Sequence, residues 1–141
     1  DSDDSAALNQ QISHQQTSLS LAINDFDHGH GLTSLAVGDG QEIYLLADAS
    51  FQQQNQLRCF ILASDISICL TEPTNSSIVN HLLGTISQIN HKKNNVLITV
   101  NCGSQAFFVT ISAFSQQKLA LTARQQVYLQ FKASAVRTFI H

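Results

Sequence analysis

The chain has 141 residues, 43% hydrophobic and only 12% charged, with 7 Lys plus Arg against 10 Asp plus Glu and a net charge of −3. A chain this long buries a real core without disulfides or metal, and its scarce Gly and Pro exclude a disordered or fibrous class. The few scattered basic residues exclude the electrostatic footprint of a nucleic-acid binder, and no apolar run approaches the ~20 residues of a membrane span or forms an early signal-peptide core.

Residues 1–16 are polar apart from Leu8 and Ile12, and are expected to be a linker or frayed start. From Thr17 onward, short apolar runs separated by turn residues predict strands: Leu19–Ile23, Leu32–Val37, Glu42–Leu46, Leu57–Ala63, Ile66–Leu70, Leu82–Ile89, Asn95–Val100, Ala106–Ile111, Val127–Phe131 and Val136–Ile140. The segments Asp27–Gly31, Gly38–Gly40, Asn90–Asn95 and Asn101–Ser104 carry hairpin chemistry. Ser112 is placed to N-cap one short helix, about Ala113–Leu119. Six of the eight Phe lie in these runs or the helix and read as core. The pattern is all-β with one short helix.

Stacking the halves shows a repeat. Ile23-Asn24-Asp25 echoes Ile89-Asn90-His91, the runs 32–37 and 95–100 are each followed by a glycine, and Leu62-Ala63-Ser64-Asp65-Ile66 echoes Lys132-Ala133-Ser134-Ala135-Val136. Two similar small β units are expected, at 17–73 and 74–141, each needing a neighbour to complete its core. A longer hairpin in the first half and the helix in the second account for the drifting offset. The chain has no methionine, so it is expected to be a processed protein or a piece of a longer one.

No phosphate loop, nucleophile elbow or His-Glu-x-x-His motif is present, and the only acids after residue 50 are Asp65 and Glu72. A carboxylate pair for acid–base chemistry is therefore not expected in the second half. His28 and His30 with Asp25 and Asp27 read as a solvated loop rather than a tetrahedral metal site. Cys59, Cys69 and Cys102 read as free thiols, and Lys92-Lys93 as a solvated hairpin tip. More informative are the hydroxyl- and amide-rich stretch Thr74–Asn80 and the segment Lys132-Ala133-Ser134. Strand alternation puts Lys132 on the face of Tyr128 and Gln130, away from Leu129 and Phe131. Convergent N–H groups, hydroxyls and a positive charge, with no carboxylate nearby, are what an oxyanion needs. A surface lysine and a Ser-rich turn are the plainer reading of the same residues.

These residues resemble a known family. From Ser77 to Ile140, the Ser77-x-x-Asn80 segment, Gly84, the hairpin reaching Gly103, the strand 109–112 leading into a helix, and Lys132-Ala133-Ser134-x-Val136 are similar to the molybdate-binding Mop/TOBE domain of molbindins. The upstream pattern from Arg58 through Ala63-Ser64-Asp65-Ile66 to Pro73 and Ser76 resembles the segment before that domain in the ATPase subunit of bacterial molybdate ABC importers. The resemblance implies tandem OB-like β-barrel units, dimeric, in which molybdate or tungstate sits at a domain interface. Ser77 would contribute a hydroxyl, Ile78 and Val79 backbone N–H groups, Asn80 its place in the motif, Lys132 the charge, and Ala133 and Ser134 backbone or hydroxyl contacts. Two departures stand out: Val79 occupies a position where many such sites carry arginine, and Leu62 takes the place of the lysine in the first half. The resemblance further implies that the fragment is not itself an enzyme, and that ATP is bound only by a nucleotide-binding domain preceding Asp1. A homodimer through this domain and contact with the transporter membrane subunit, on the cytoplasmic face of the bacterial inner membrane, are implied as well. The alternative is a structural dimerisation module that has lost the ligand. Exposed strand edges on small β units favour pairing in either case.

Overall fold

The structure, a computed structural model, describes residues 15–139; most of the polar start expected at 1–16 lies outside the described residues, and Gln16 already opens the first strand. Ten strands follow: β1 (Gln16–Asp27), β2 (Leu32–Gly38), β3 (Gln41–Leu46), β4 (Gln56–Leu62), β5 (Ser67–Cys69), β6 (Asn80–His91), β7 (Asn95–Cys102), β8 (Gln105–Ser112), β9 (Gln126–Phe131) and β10 (Arg137–Thr138). The helix α1 spans Ala113–Leu119, and Ser112 caps it by accepting from the Ser115 N–H. The expected run Val136–Ile140 shortens to the two residues of β10, its last position lying outside the described residues. A 3-10 turn at Ala49–Gln53, capped by Asp48 and burying Phe51, was not foreseen, because five residues carry too little periodicity to register.

The strands form two curled antiparallel sheets, β10-β4-β1-β2-β3 and β5-β9-β6-β7-β8, an OB-like arrangement of half-barrels. Corresponding strands recur in the two halves, but not in the expected alignment of Ile23 with Ile89: the bulge of β1 falls at Ile23/Asp25 and that of β6 at Ile86/Gln88. Gln16 and Asn80, which open β1 and β6, are 64 positions apart, and so are Gln41 and Gln105, which open β3 and β8. The 3-10 turns Ala63–Asp65 and Ala133–Ala135 are 70 apart; the jump occurs across the longer helix of the second half. Each sheet takes an edge strand from the other half. β5 leaves the first half and pairs with β9, Ser67 opposite Gln130; β10 leaves the second half and pairs with β4, Arg137 opposite Phe60. Phe139 closes this exchange, its ring tilted 46° against Phe60 with centroids 5.1 Å apart and lying under the Arg58 guanidinium.

The core is one continuous cluster drawn from both sheets, with Leu35, Ile43 and Ile61 of one and Ile98, Leu129 and Phe131 of the other fully buried. The reading of six core Phe needs correction. Phe107 and Phe131 are buried as expected, but Phe114 on α1 is 72% exposed, and buried Phe51 came from outside the expected runs. A seven-residue helix at the edge of a sheet covers too little area to bury its first turn.

The hairpin tips of the two halves touch. Gly103, at φ 59°, lies so close to β2 that a Cβ there would sit 2.7 Å from the Val37 carbonyl oxygen, and the Ser104 N–H donates to that same oxygen at 3.2 Å. Side-chain amides link the sheets elsewhere. The Gln41 amide donates to the Leu83 carbonyl and accepts from the Leu83 N–H, copying a backbone ladder across the gap between β3 and β6.

Candidate functional site

The segment before β6 is shaped by local hydrogen bonds. Asn75 takes a left-handed conformation at φ 55°, and the Ser76 hydroxyl accepts from the Ile78 N–H at 3.1 Å, a turn that aims the chain into β6. Asn80 is 1% exposed. Its Oδ1 accepts from the Tyr44 N–H at 2.7 Å, and its Nδ2 donates to the Tyr44 carbonyl at 2.9 Å. The Asn80 side chain therefore holds β6 against β3, and the Ile78 N–H is already engaged. Ser77 and Val79 stand on the surface, Val79 40% exposed.

Lys132 ends the outward face of β9 and enters the 3-10 turn Ala133–Ala135. Alternation works as read: Leu129 and Phe131 are buried, while Lys132 is exposed. Beside it opens a cleft of about 420 Å³. Ile78, Lys132 and Ser134 line it, so both expected segments reach one place; Ser77, Val79, Asn80 and Ala133 are not on its wall.

Three groups on that wall were not foreseen together. Arg137 of β10 adds a second cation, and Ser64 and Ser67 add hydroxyls from the first half. Asp65, from the same 3-10 turn as Ser64, also lines the cleft, which corrects the expectation of an anion site free of carboxylate. Acids are scarce along the second half of the chain, but the strand exchange brings the turn of the first half to the turn of the second. The repeat held the signal: Ser64 and Ser134, Asp65 and Ala135, and Ser67 and Arg137 are equivalent pairs 70 positions apart, and both members of every pair line the cleft. Among the described residues no ion pair joins Asp65 to Lys132 or Arg137. Two cations and three hydroxyls, a donor set suited to an oxyanion, thus share one open space with a single carboxylate that opposes it.

The other chemistry-bearing residues are committed locally. His30 Nδ1 lies 2.8 Å from Asp27 Oδ2 at the β1–β2 turn, and this hydrogen bond holds the Asp27 carboxyl below its ordinary value. His28 stacks on Phe26, and no group of three or more metal-ligating side chains occurs among the described residues. Burial pushes the Cys59 and Cys102 thiols up to about 12, leaving them unreactive at neutral pH. The Tyr44 hydroxyl donates to Glu42 at 2.6 Å, and this bond, with one from Asn24, holds the Glu42 carboxyl low.

Comparison with known proteins follows the same outline. Residues 76–138 match the TOBE domain. The chain is 33% identical over 122 residues to the molybdenum import ATP-binding protein ModC of Pasteurella multocida, covering 86% of this chain and 34% of that protein. It is likewise 33% identical over 115 residues to ModC of Haemophilus ducreyi, covering 82% and 32%. The chain spans about a third of the length of the curated relatives it matches. A crystal structure of the cytoplasmic molybdate-binding protein ModG with molybdate bound superposes with a TM-score of 0.70 at 15% identity, covering 89% of this chain and 95% of that one, a likeness of fold. No helix among the described residues is long and apolar enough to cross a membrane.

Proposed function

We propose that this chain, whose residues 76–138 belong to the TOBE domain family and which is homologous to the C-terminal region of molybdenum import ATP-binding proteins, is a regulatory domain that binds molybdate or tungstate. One observation carries the reading: the cleft where Lys132, Arg137 and the Ser64, Ser67 and Ser134 hydroxyls converge. Lys132 and Arg137 supply the charge and the hydroxyls supply directed donors, the combination that recognises a tetrahedral dianion. Ala133 and Ser134 present the turn that Lys132 enters. Ser77 and the backbone of Val79 lie on an exposed approach, where they serve a site completed by a second copy of the chain, while Ile78, its N–H held by the Ser76 hydroxyl, lines the cleft. Asn80 fixes the register of that approach through Tyr44.

In the whole protein, the remaining two thirds carry the nucleotide-binding domain, so ATP is bound and hydrolysed outside this chain. The assembly works on the membrane subunit of an importer at the cytoplasmic face of the inner membrane, with paired copies of this domain holding two ATPase subunits together. Oxyanion binding regulates transport to the extent that it favours one transporter state over another.

A second reading, a dimerisation module without ligand, draws on the surface Val79 and on the commitment of the Asn80 side chain to Tyr44. Calorimetric titration with molybdate, with sulfate as the control anion, separates the two. Micromolar or tighter binding that weakens at least tenfold in Lys132→Ala supports the sensor, since one charge-assisted contact is worth about 1.5–3 kcal/mol. No heat and no shift in melting temperature would leave the module as a scaffold.

A further inference from the structure

We infer that the Gln130 side-chain amide is an anion-directing donor of the cleft, its orientation set by the Cys69 thiol. The inference rests on the oxyanion reading above and adds one contact to it. Gln130 is half-buried on the outward face of β9, two residues before Lys132, and it lines the cleft. Strand pairing holds its backbone on both sides, opposite Ser67 on β5 and His81 on β6. Lys132 and Arg137, by contrast, reach the cleft on long, exposed side chains, which attract an anion without fixing its place.

A primary amide can meet an anion with either of two ends. Its Nε2 group offers two N–H donors, while its Oε1 atom offers lone pairs that repel. The Cys69 S–H donates to Gln130 Oε1 at 3.7 Å, so the repelling end of the amide is held by β5. Among the described residues no hydrogen bond engages Gln130 Nε2, and both of its N–H groups are left for a ligand. A tetrahedral oxyanion without protons presents only acceptors, and an N–H donating to a charged oxygen makes the stronger kind of hydrogen bond.

The repeat singles out this pair of positions. Seventy residues earlier, β4 carries Phe60 in the place of Gln130, and Leu62 stands in the place of Lys132. The contact itself recurs with its chemistry changed: Phe139, equivalent to Cys69, packs against Phe60 just as Cys69 meets Gln130. One half fills this corner with two rings. The other keeps a thiol and an amide there, in the half that also supplies Lys132.

Calorimetric titration of the 141-residue chain with molybdate tests the assignment, each variant being checked for an unchanged melting temperature. Gln130→Met removes the donors at similar length and is expected to weaken binding about tenfold. Gln130→Glu, of the same shape with acceptors in place of donors, weakens it further. Cys69→Ala leaves the amide to turn either way, so about half of the molecules present the donor end and affinity falls about twofold. Cys69→Ser keeps a donor and binds as wild type does, and Cys69→Ala has no further effect in a Gln130→Met background. Wild-type affinity in both Gln130 variants overturns the inference and leaves the oxyanion reading standing, provided Lys132→Ala still weakens binding. A Cys69→Ser variant as weak as Cys69→Ala, or a Cys69→Ala loss that persists beside Gln130→Met, overturns the orienting role of the thiol. Absence of molybdate binding by wild type overturns both the inference and the reading beneath it.

Discussion

At the scale of single residues, space and hydrogen bonding decide more than charge. Gly84 is the clearest case: a Cβ there would sit 2.5 Å from Cys102 Sγ and 2.8 Å from the Asn101 carbonyl oxygen, so β6 and β7 approach only because position 84 has no side chain. Gly84→Ala is expected to destabilise the chain by about 1–3 kcal/mol, read as a lower urea midpoint at unchanged slope. Gly84 was legible as a landmark of the motif, but its reason, the Cys102 thiol across the strand pair, was not. The Glu42 carboxyl, held low mainly by the Tyr44 hydroxyl, gives a pH signature. A carboxyl with a lowered folded-state pKa stabilises above its ordinary 4.5 and loses that contribution as pH falls through the folded value. Tyr44→Phe is therefore expected to be less stable than wild type at pH 6, with the gap closing toward pH 3 in parallel melts. Asn80 shows how residue type misleads about role. An amide in a hydroxyl-rich stretch reads as a ligand, yet its side chain spans the two sheets through the Tyr44 backbone.

At the scale of elements, local rules performed well wherever the signal was local. Helix α1 begins and ends where its sequence said, because the Ser112 cap acts within one turn. Its other end is less favourable: Ala120 adopts the left-handed conformation at φ 51°, which costs an L-residue with a Cβ about 1–2 kcal/mol. Ala120→Gly is expected to raise stability by up to about 1 kcal/mol in urea titration; a loss would mean that the Ala120 methyl group makes packing contacts outweighing the strain. The long strands were also legible from alternation, although the runs read for β1 and β6 stop short of both ends of each strand. The run 19–23 is the middle of a twelve-residue β1, whose polar outward positions masked both ends. The short strands β5 and β10 were visible only as apolar runs. With three and two residues, they are strands solely through what they pair with.

At the scale of the whole molecule, the exchange of β5 and β10 turns two repeats into one body. The shared core and the swapped edges predict that a cut at 73/74 yields two pieces without cooperative unfolding when separate, since each would expose an unpaired edge and half of a core cluster. Circular dichroism melts of residues 15–73 and 74–139, alone and mixed, check this: a sigmoidal transition in either piece alone would show that the repeat folds independently. The same exchange makes the cleft, for it lays the turn bearing Ser64 and Asp65 beside the one bearing Lys132 and Ser134, with Arg137 following on β10. By itself the sequence determined the all-β class, the tandem repeat, the capped helix, and Lys132 as the exposed cation at the end of a buried strand, because periodicity, capping and alternation act between neighbours in the chain. Only the tertiary structure decided which half completes which sheet, that Asn80 is structural in its side chain, and that Asp65 and Arg137 share the cleft with Lys132. Those outcomes depend on strand pairing between residues some 70 positions apart, where the choice of partner is set by the shared core rather than by any local preference.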